Sequence, residues 1–555
     1  MFKFKAISAL EKVMLTDTYD SYEAITSVRG LKGERVSFQI QIGHKKTDAR
    51  ATQGTAYYTL RSPLRTNTQV GVVGYIPSEL PAYRHSYDED YISIEPGLFP
   101  DVVYPLKVKE KFCCYVDTPT TLMVTVDIPE NMEAGEYPLY FSFTIVKGKH
   151  EMVTEKRSLK VMVKVEDLAI KKNDLIFTQW FYCDCIADYH KVKIFSEKHW
   201  KIVENYIKTA ARTGMTMILT PIFTPPLDTD IGGERPTVQL VKMKKVGEKY
   251  SFDFTLLKRW VDICHKHGIE YFEMAHLFTQ WGAKCCPKIV VEIDGKEVKE
   301  FGWHVEATSD LYKNFLNQFL PALTAELKAL GIADKTYFHI SDEPNQTHLE
   351  NYKAAKEMVA PLLKGFKLID ALSSFDFFQN GLVEIPVPCN DHIAPFMNAD
   401  INERWTYYCC VQTKKVSNRF FAMPSYRNRA IGIQMFQGDI DGFLQWGYNF
   451  YYSARSRFKI DPYNNSDSMH AHPSGDAYSV YPYENGAIEC IRTVVFYEAI
   501  QDRMLLKMLA EKIGLEETKK WVNEEAGMVM DFDSYPRSVK FFDDFHDKII
   551  DRLTK

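Results

Sequence analysis

The sequence has no surplus of positive charge: 68 Lys and Arg stand against 73 Asp and Glu, for a net charge of −5. That removes the electrostatic case for nucleic acid or an anionic membrane surface as a partner. Long apolar runs are missing as well. The opening MFKFKAISALEKVML carries charge inside every short apolar run, so neither a signal peptide nor a membrane span is expected, and the chain reads as cytoplasmic. Zinc spacings do not occur. The 11 cysteines are an odd number and include the side-by-side pairs Cys113-Cys114, Cys285-Cys286 and Cys409-Cys410, whose members point apart in extended chain. Cys183-x-Cys185 followed by His190 is the nearest approach to a metal site, and it lacks a second ligand pair. A reduced protein with no metal and no cofactor is the expectation.

What is present is an ordinary globular composition, 45% hydrophobic and 25% charged, over 555 residues, which is enough for two or three domains. Aromatics are heavy at 14%; most must be core, but flat rings also suit the C–H faces of sugars. Residues 1–170 read as all-β. Val36, Phe38, Ile40 and Ile42 alternate with polar residues, as do Leu122, Val124, Val126 and Ile128, then Leu139, Phe141, Phe143 and Ile145, then Leu159, Val161, Val163 and Val165. Period-two alternation with Pro, Gly and Asn punctuation predicts an antiparallel β-sandwich, given support or substrate-rim duties.

From residue 171 the rhythm changes to strands alternating with helices, the pattern of parallel βα units. Strands are expected at 176–181, 215–223, 270–278, 337–340, 367–371, 392–396, 406–410 and 442–449, which makes a (β/α)8 barrel over 171–510 the economical count. Residues 511–555 are left as a C-terminal helical extension. Hairpins are expected at 237–254 and at 288–301, the latter around Asp294-Gly295. Both fall in loops that follow strands, where barrel enzymes wall off substrates. His470-x-His472 in a polar loop could bind a metal, but without an acidic or third imidazole neighbour at suitable spacing a solvated loop is favoured.

The chemistry converges on Tyr337-Phe338-His339-Ile340-Ser341-Asp342-Glu343-Pro344. A short strand delivers two adjacent carboxylates at its C-terminal end and stops. Neighbours in a regular strand face opposite ways, so Asp342 and Glu343 can share a site only where the strand breaks. Pro344 excludes the helical region for Glu343 and predicts an extended conformation. An acidic helix N-terminus, with Asp342 as its cap, is equally compatible with the spacing.

Four blocks in order carry a resemblance. They are Leu277-Phe278-Thr279-Gln280-Trp281-Gly282-Ala283, His339-Ile340-Ser341-Asp342-Glu343-Pro344, Asp441-Gly442-Phe443-Leu444-Gln445-Trp446-Gly447 and Gly475-Asp476-Ala477-Tyr478-Ser479-Val480-Tyr481-Pro482. Together they resemble glycoside hydrolase family 123, β-N-acetylgalactosaminidases with a β-sandwich ahead of a (β/α)8 barrel. The resemblance spans roughly residues 175–510 and implies release of terminal β-linked N-acetylgalactosamine from oligosaccharides or glycosphingolipid-type glycans. It implies a retaining, substrate-assisted mechanism, with Glu343 as general acid and base and Asp342 holding the 2-acetamido group. A hexosaminidase of gluco preference would use the same acids, and a non-catalytic carbohydrate-binding protein is the reading from another class.

Further substrate-binding candidates lie in or beside the strands. Trp281, Trp405 and Trp446 are set to stack on the sugar, Tyr407 to donate its hydroxyl to the acetamido oxygen, and His276 and Asn449 to read hydroxyls. For each Trp a core position is about as expected, and for His276 a core position is commoner.

Overall fold

A computed structural model describes residues 2–44, 53–115, 118–147 and 152–555. The N-terminal part is a sandwich of two five-stranded sheets. One sheet runs Phe2–Ser8, Arg35–His44, Thr120–Asp127, Thr68–Ser78, Gly97–Pro105; the other runs Ser27–Lys32, Met152–Ala169, Gly135–Lys147, Gln53–Arg61, Phe112–Tyr115. The alternating residues do what alternation dictates. Phe38, Ile40, Leu122, Val124, Phe141, Phe143, Val161 and Val163 all enter one buried core between the sheets. One pairing departs from the antiparallel expectation: Ser27–Lys32 lies parallel to Met152–Ala169, with Val28 opposite Val163.

Eight parallel strands then form the barrel: Ile176–Gln179, Met217–Thr220, Tyr271–Met274, Thr336–Phe338, Lys367–Ala371, Ile385–Val387, Trp405–Tyr407 and Gly442–Gln445. The last pairs with the first, Phe177 opposite Phe443. The ring closes between the sixth and seventh strands through a single bridge, in which Asn390 N–H donates to the Tyr407 carbonyl at 2.8 Å and Tyr407 N–H to the Pro388 carbonyl at 3.1 Å. Seven strands fall where the pattern puts them. The sixth does not: 392–396 forms a helical turn, Ala394–Met397, and the strand is the three-residue Ile385–Val387.

The barrel interior is layered. At its base Tyr337 meets the rings of Tyr271 and Trp405, and Gly442 leaves the room that Trp405 fills, since a Cβ there would fall 2.1 Å from the indole. Above lies a polar layer of Thr178, Glu273, His339 and Asp370, all buried. The carboxyl ends of the strands open above that.

The two inserted hairpins, Lys242–Val246 with Lys249–Asp253 and Ile289–Ile293 with Lys296–Phe301, join into one four-stranded sheet through parallel pairing of Lys244 with Glu292. Asp294 and Gly295 both take positive φ, 50° and 76°, as a tight two-residue turn requires. At the other end, helices Ile491–Ile513, Leu515–Ala526 and Val539–Thr554 pack with barrel helix Ser425–Gln437 and sandwich residues Leu10, Leu31 and Met123 in a shared core. Helix Ile491–Ile513 runs through residue 510 without a break. Arg429 anchors this junction, bonding Asp502 through Nε at 2.5 Å and pairing with Glu498. At Gly432 the two long helices touch backbone to backbone: an added Cβ would lie 1.9 Å from the Ala499 carbonyl oxygen. Gly432→Ala is therefore expected to destabilise the protein by about 1–3 kcal/mol or more, measured by denaturant unfolding. Wild-type stability would show that the helices can separate at no cost.

Candidate active site

The fourth strand ends at Phe338, and the next six residues are clamped from both sides. Leu277 N–H donates to the His339 carbonyl, Phe278 N–H to that of Ile340 and Trp281 N–H to that of Asp342, at 3.1, 3.0 and 3.0 Å. On the other flank Glu343 N–H donates to the Ala371 carbonyl at 3.1 Å, at the end of the fifth strand. Glu343 is not extended as expected. Pro344 does keep it from the right-handed region, but the clamp sends it to φ 42°, a left-handed conformation unfavourable for a residue with a Cβ. That twist breaks the strand alternation and brings both carboxyls to one cavity. Asp342 does not cap a helix, because Leu349–Val359 begins after His348.

The cavity, about 160 Å³, is lined by Trp180, Tyr182, Leu227, Asp228, Gln280, Trp281, Asp342, Glu343, Ala371, Tyr407, Cys409, Cys410, Leu444, Trp446 and His472. Five of the residues singled out in the sequence thus meet here: Asp342, Glu343, Trp281, Tyr407 and Trp446. The Tyr407 hydroxyl donates to Glu343 Oε1 at 2.6 Å. Trp446 Nε1 donates to Asp476 Oδ2 at 2.8 Å, which fixes its ring. Three candidates lie elsewhere. Trp405 starts the strand that Tyr407 ends, so it sits at the barrel base with its Nε1 on Glu403 at 2.8 Å. His276 is buried beneath the cavity, stacked on His339 at 4.2 Å and edge-on to Trp180 at 5.2 Å. Asn449 is turned into the chain, where its amide accepts from Tyr182 N–H at 2.8 Å and donates to the Tyr182 carbonyl at 3.0 Å.

A roomier cleft of about 350 Å³ opens beneath the hairpin sheet, walled by Pro225, Ile231, Arg235, Trp303 and His304. Its one carboxylate, Glu234, is already paired with Lys288 and Lys299. The smaller cavity, which holds Asp342 and Glu343, is the candidate site. Cys183 and Cys185 are buried free thiols, and His190 faces the Tyr206 hydroxyl at 3.4 Å.

Beneath the acids the polar layer is fully bonded. His339 Nε2 lies 2.5 Å from Glu273 Oε1 and Nδ1 lies 3.2 Å from Asp370 Oδ1. Trp180 Nε1 and the Thr178 hydroxyl also donate to Glu273, at 2.7 and 2.8 Å; Tyr352 hydroxyl and Ile340 N–H donate to Asp370, at 2.5 and 3.0 Å. Burial alone would push the His339 imidazole down, but its hydrogen bonds to Asp370 and Glu273, with their charge, push it up to about 9. His276, buried against that cation, is driven well below the usual imidazole range and stays neutral. Asp342 is pushed well up by burial and by the Glu343 charge, with the His339 cation opposing. Burial also raises Glu343, while the Tyr407 hydroxyl favours its ionised form. Burial and mutual repulsion thus work against ionising both adjacent acids at once.

The model of the glycoside hydrolase 123 catalytic domain matches residues 180–509, more than half of the sequence. The chain belongs to glycoside hydrolase family 123. A family 123 glycoside hydrolase from Clostridium perfringens, solved for the details of glycolipid glycan hydrolysis, shares the fold at TM-score 0.71 and 15% identity, covering 100% of this chain and 97% of its own. A Clostridium thermocellum xylanase module pair reaches only TM-score 0.31 at 8% identity over 90% of this chain and 94% of its own. No curated protein matches the sequence. The glycosidase assignment fits a cavity walled by carboxyls and indoles at the carboxyl ends of barrel strands.

Sequence reasoning missed part of this family 123 cavity. Trp180 and Tyr182 follow the first strand, where the position after a strand end was a usable signal. Asp228, Cys410 and His472 come from loops distant in the chain; Asp228 gave no signal, and the Cys409-Cys410 and His470-x-His472 motifs did not point to this cavity. The loop of His470-x-His472, expected to be solvated, divides: His470 is exposed against Glu79 at 2.8 Å, whereas His472 turns into the cavity wall. The sandwich holds that loop, with Ser474 N–H donating to the Leu80 carbonyl at 3.0 Å and the Tyr83 hydroxyl to that of Ala471 at 2.9 Å.

The buried histidine makes a stability prediction. His339 is raised from 6.5 to about 9, so its contribution is complete below 6.5 and is lost as pH rises through 9; His546, also raised to about 9, adds to the same alkaline limb. His339→Gln keeps hydrogen-bonding capacity but leaves Glu273 and Asp370 without counter-charge, at a cost of about 3–5 kcal/mol. Melting curves across this range should show a lower neutral Tm and a shallower alkaline fall than wild type. Parallel curves would mean His339 is neutral in the folded protein.

Proposed function

We propose that this chain is an exo-acting β-N-acetylgalactosaminidase that works by substrate assistance. One observation carries the reading: two adjacent carboxyls face one cavity, with a tyrosine hydroxyl on the second. An ordinary retaining glycosidase needs its two carboxyls on opposite sides of the scissile bond. Neighbours in sequence cannot flank a sugar that way, but they can serve a substrate whose own 2-acetamido oxygen attacks the anomeric carbon.

In this mechanism Glu343 protonates the leaving oxygen and later activates water, while Asp342 accepts the acetamido N–H and balances the oxazolinium charge. In this reading the resting pair shares one proton, which starts on Asp342 because Tyr407 stabilises the Glu343 carboxylate. Substrate reverses that order. The acetamido carbonyl takes the Tyr407 hydroxyl and its N–H takes Asp342 as acceptor, so the proton passes to Glu343, where the leaving group needs it. Trp281 and Trp446 supply flat faces for the sugar. The substrate is a terminal sugar on an oligosaccharide or glycolipid glycan, the class named for the Clostridium perfringens relative. A gluco-preferring hexosaminidase would use the same groups, and paired aryl β-N-acetylgalactosaminide and β-N-acetylglucosaminide assays separate the two; turnover of neither would leave a binding protein.

Asp228 is a third carboxylate in the cavity wall, but it is occupied in shaping its loop: Oδ2 accepts from Arg455 N–H at 3.0 Å, and its carbonyl accepts from the Ser456 hydroxyl at 2.7 Å. Proton NMR of early hydrolysis should show the β-anomer first, in wild type and in Asp228→Asn alike, with competitive inhibition by an oxazoline-mimicking thiazoline. An α-anomer first, or a covalent glycosyl–Asp228 adduct, would sink the proposal.

Asp342→Asn removes the charge and presents N–H to N–H. Turnover should fall roughly 10²–10³-fold, with Tm unchanged or higher because a buried carboxyl that resists ionisation becomes a neutral amide. Glu343→Gln should instead lose roughly 10²–10⁴-fold on natural glycosides and much less on activated aryl glycosides. Equal losses on both leaving groups would remove Glu343 from the acid role.

A further inference from the structure

Among the described residues, three groups bring three possible metal-ligating side chains within 4.8 Å of one another: His276, His339 and Asp370; Glu79, Asp467 and His470; and Cys410, His472 and Asp476. The first is sealed in the barrel, with His339 and Asp370 already bonded to each other and to neighbours. The second lies on the surface, with Glu79 and His470 exposed. The third differs in kind. Cys410 is a free thiol. Both ring nitrogens of His472 are shielded from solvent, and the ring faces the Cys410 thiol. Asp476 is buried and held in place by Trp446 Nε1 on Oδ2, with Gln445 Nε2 3.3 Å from Oδ1. Cys410 and His472 both face the substrate cavity.

We infer that Cys410, His472 and Asp476 form a zinc site in the wall of the substrate cavity, and that a bound ion excludes the glycan. One sulfur, one imidazole nitrogen and one carboxylate oxygen are the donors that a borderline-soft divalent cation takes, whereas Mg²⁺ and Ca²⁺ take all-oxygen shells. Three protein ligands leave a tetrahedral ion one position, which opens on the cavity. There the ion meets the space beside Trp446, whose ring lies 5.3 Å from His472. The Trp446–Asp476 bond then has a second use, as the outer contact that orients a ligand. The site is independent of the proposed sugar specificity; only the inhibition arm uses it.

The test is titration of metal-stripped protein with Co²⁺, following the thiolate-to-cobalt charge-transfer band, and with Zn²⁺ by calorimetry. One equivalent per chain is expected. Cys410→Ser should lose the band and His472→Gln should lose tight binding. Trp446→Phe, which replaces no ligand but removes the bond to Asp476, should weaken affinity roughly 10–100-fold and serves if the ligand variants fail to fold. His470→Ala should bind as wild type does. Zinc should raise KM for the aryl glycoside and leave kcat unchanged. Failure to bind stoichiometrically, a band that survives Cys410→Ser, or loss of binding in His470→Ala would overturn the site. Bound zinc with unchanged KM would overturn its place in the cavity. A protein inactive on the glycoside would fault the functional reading while the cobalt titration still decided the metal.

Discussion

A cation held between two carboxylates in the dry centre of a barrel is costly to build, and removing any one member strands the others. His339, Glu273 and Asp370 are such a set, fully buried and bonded on every side by groups from the first, third, fourth and fifth segments of the barrel. Because the Ile340 backbone is one of the donors to Asp370, the ion layer fixes the course of the chain two residues before Asp342. Its charge also reaches upward, opposing the forces that would keep Asp342 neutral. The acid pair thus inherits both its position and part of its electrostatics from a layer that no substrate touches.

Around this layer the fold divides labour by height. Aromatic rings fill the barrel base, ions fill the middle, and indoles and carboxyls face outward at the top. The sandwich reaches the cavity wall through the loop it holds, by way of Leu80 and Tyr83, which sets His472 there. Trp180 joins two levels, since one side of its indole lines the cavity while Nε1 donates to Glu273. A side chain shared in this way couples the ligand-facing surface to the buried ions without any moving part.

Much of this was legible in the sequence because it is local. Alternation in the sandwich, the Asp294-Gly295 turn, and a strand that ends in Asp342-Glu343-Pro344 each depend on residues close in the chain. What was not legible depends on height or on distance. Trp405 and Tyr407 share one inward face of a short strand, and only their level decides which meets substrate. The sixth strand has three residues with Pro386 inside it and Pro388 just beyond, so it offered no alternation to read, whereas 392–396 looked extended and turned into helix. Glu343 was expected extended from Pro344 alone; the hydrogen bonds that twist it come from Ala371 and Trp281, which a local rule does not see. Cys410 and His472 meet although a helix and the eighth strand lie between them in the chain.

The hairpin sheet above the barrel has a consequence for how such a chain can change. Its two halves arise from different loops, yet Lys244 and Glu292 pair along a common seam. Each hairpin covers an edge of the other. If one were deleted alone, the survivor would present a bare strand to any other protein with an edge of its own. The two insertions are therefore coupled physically, since shortening either one uncovers the inner strand of the other.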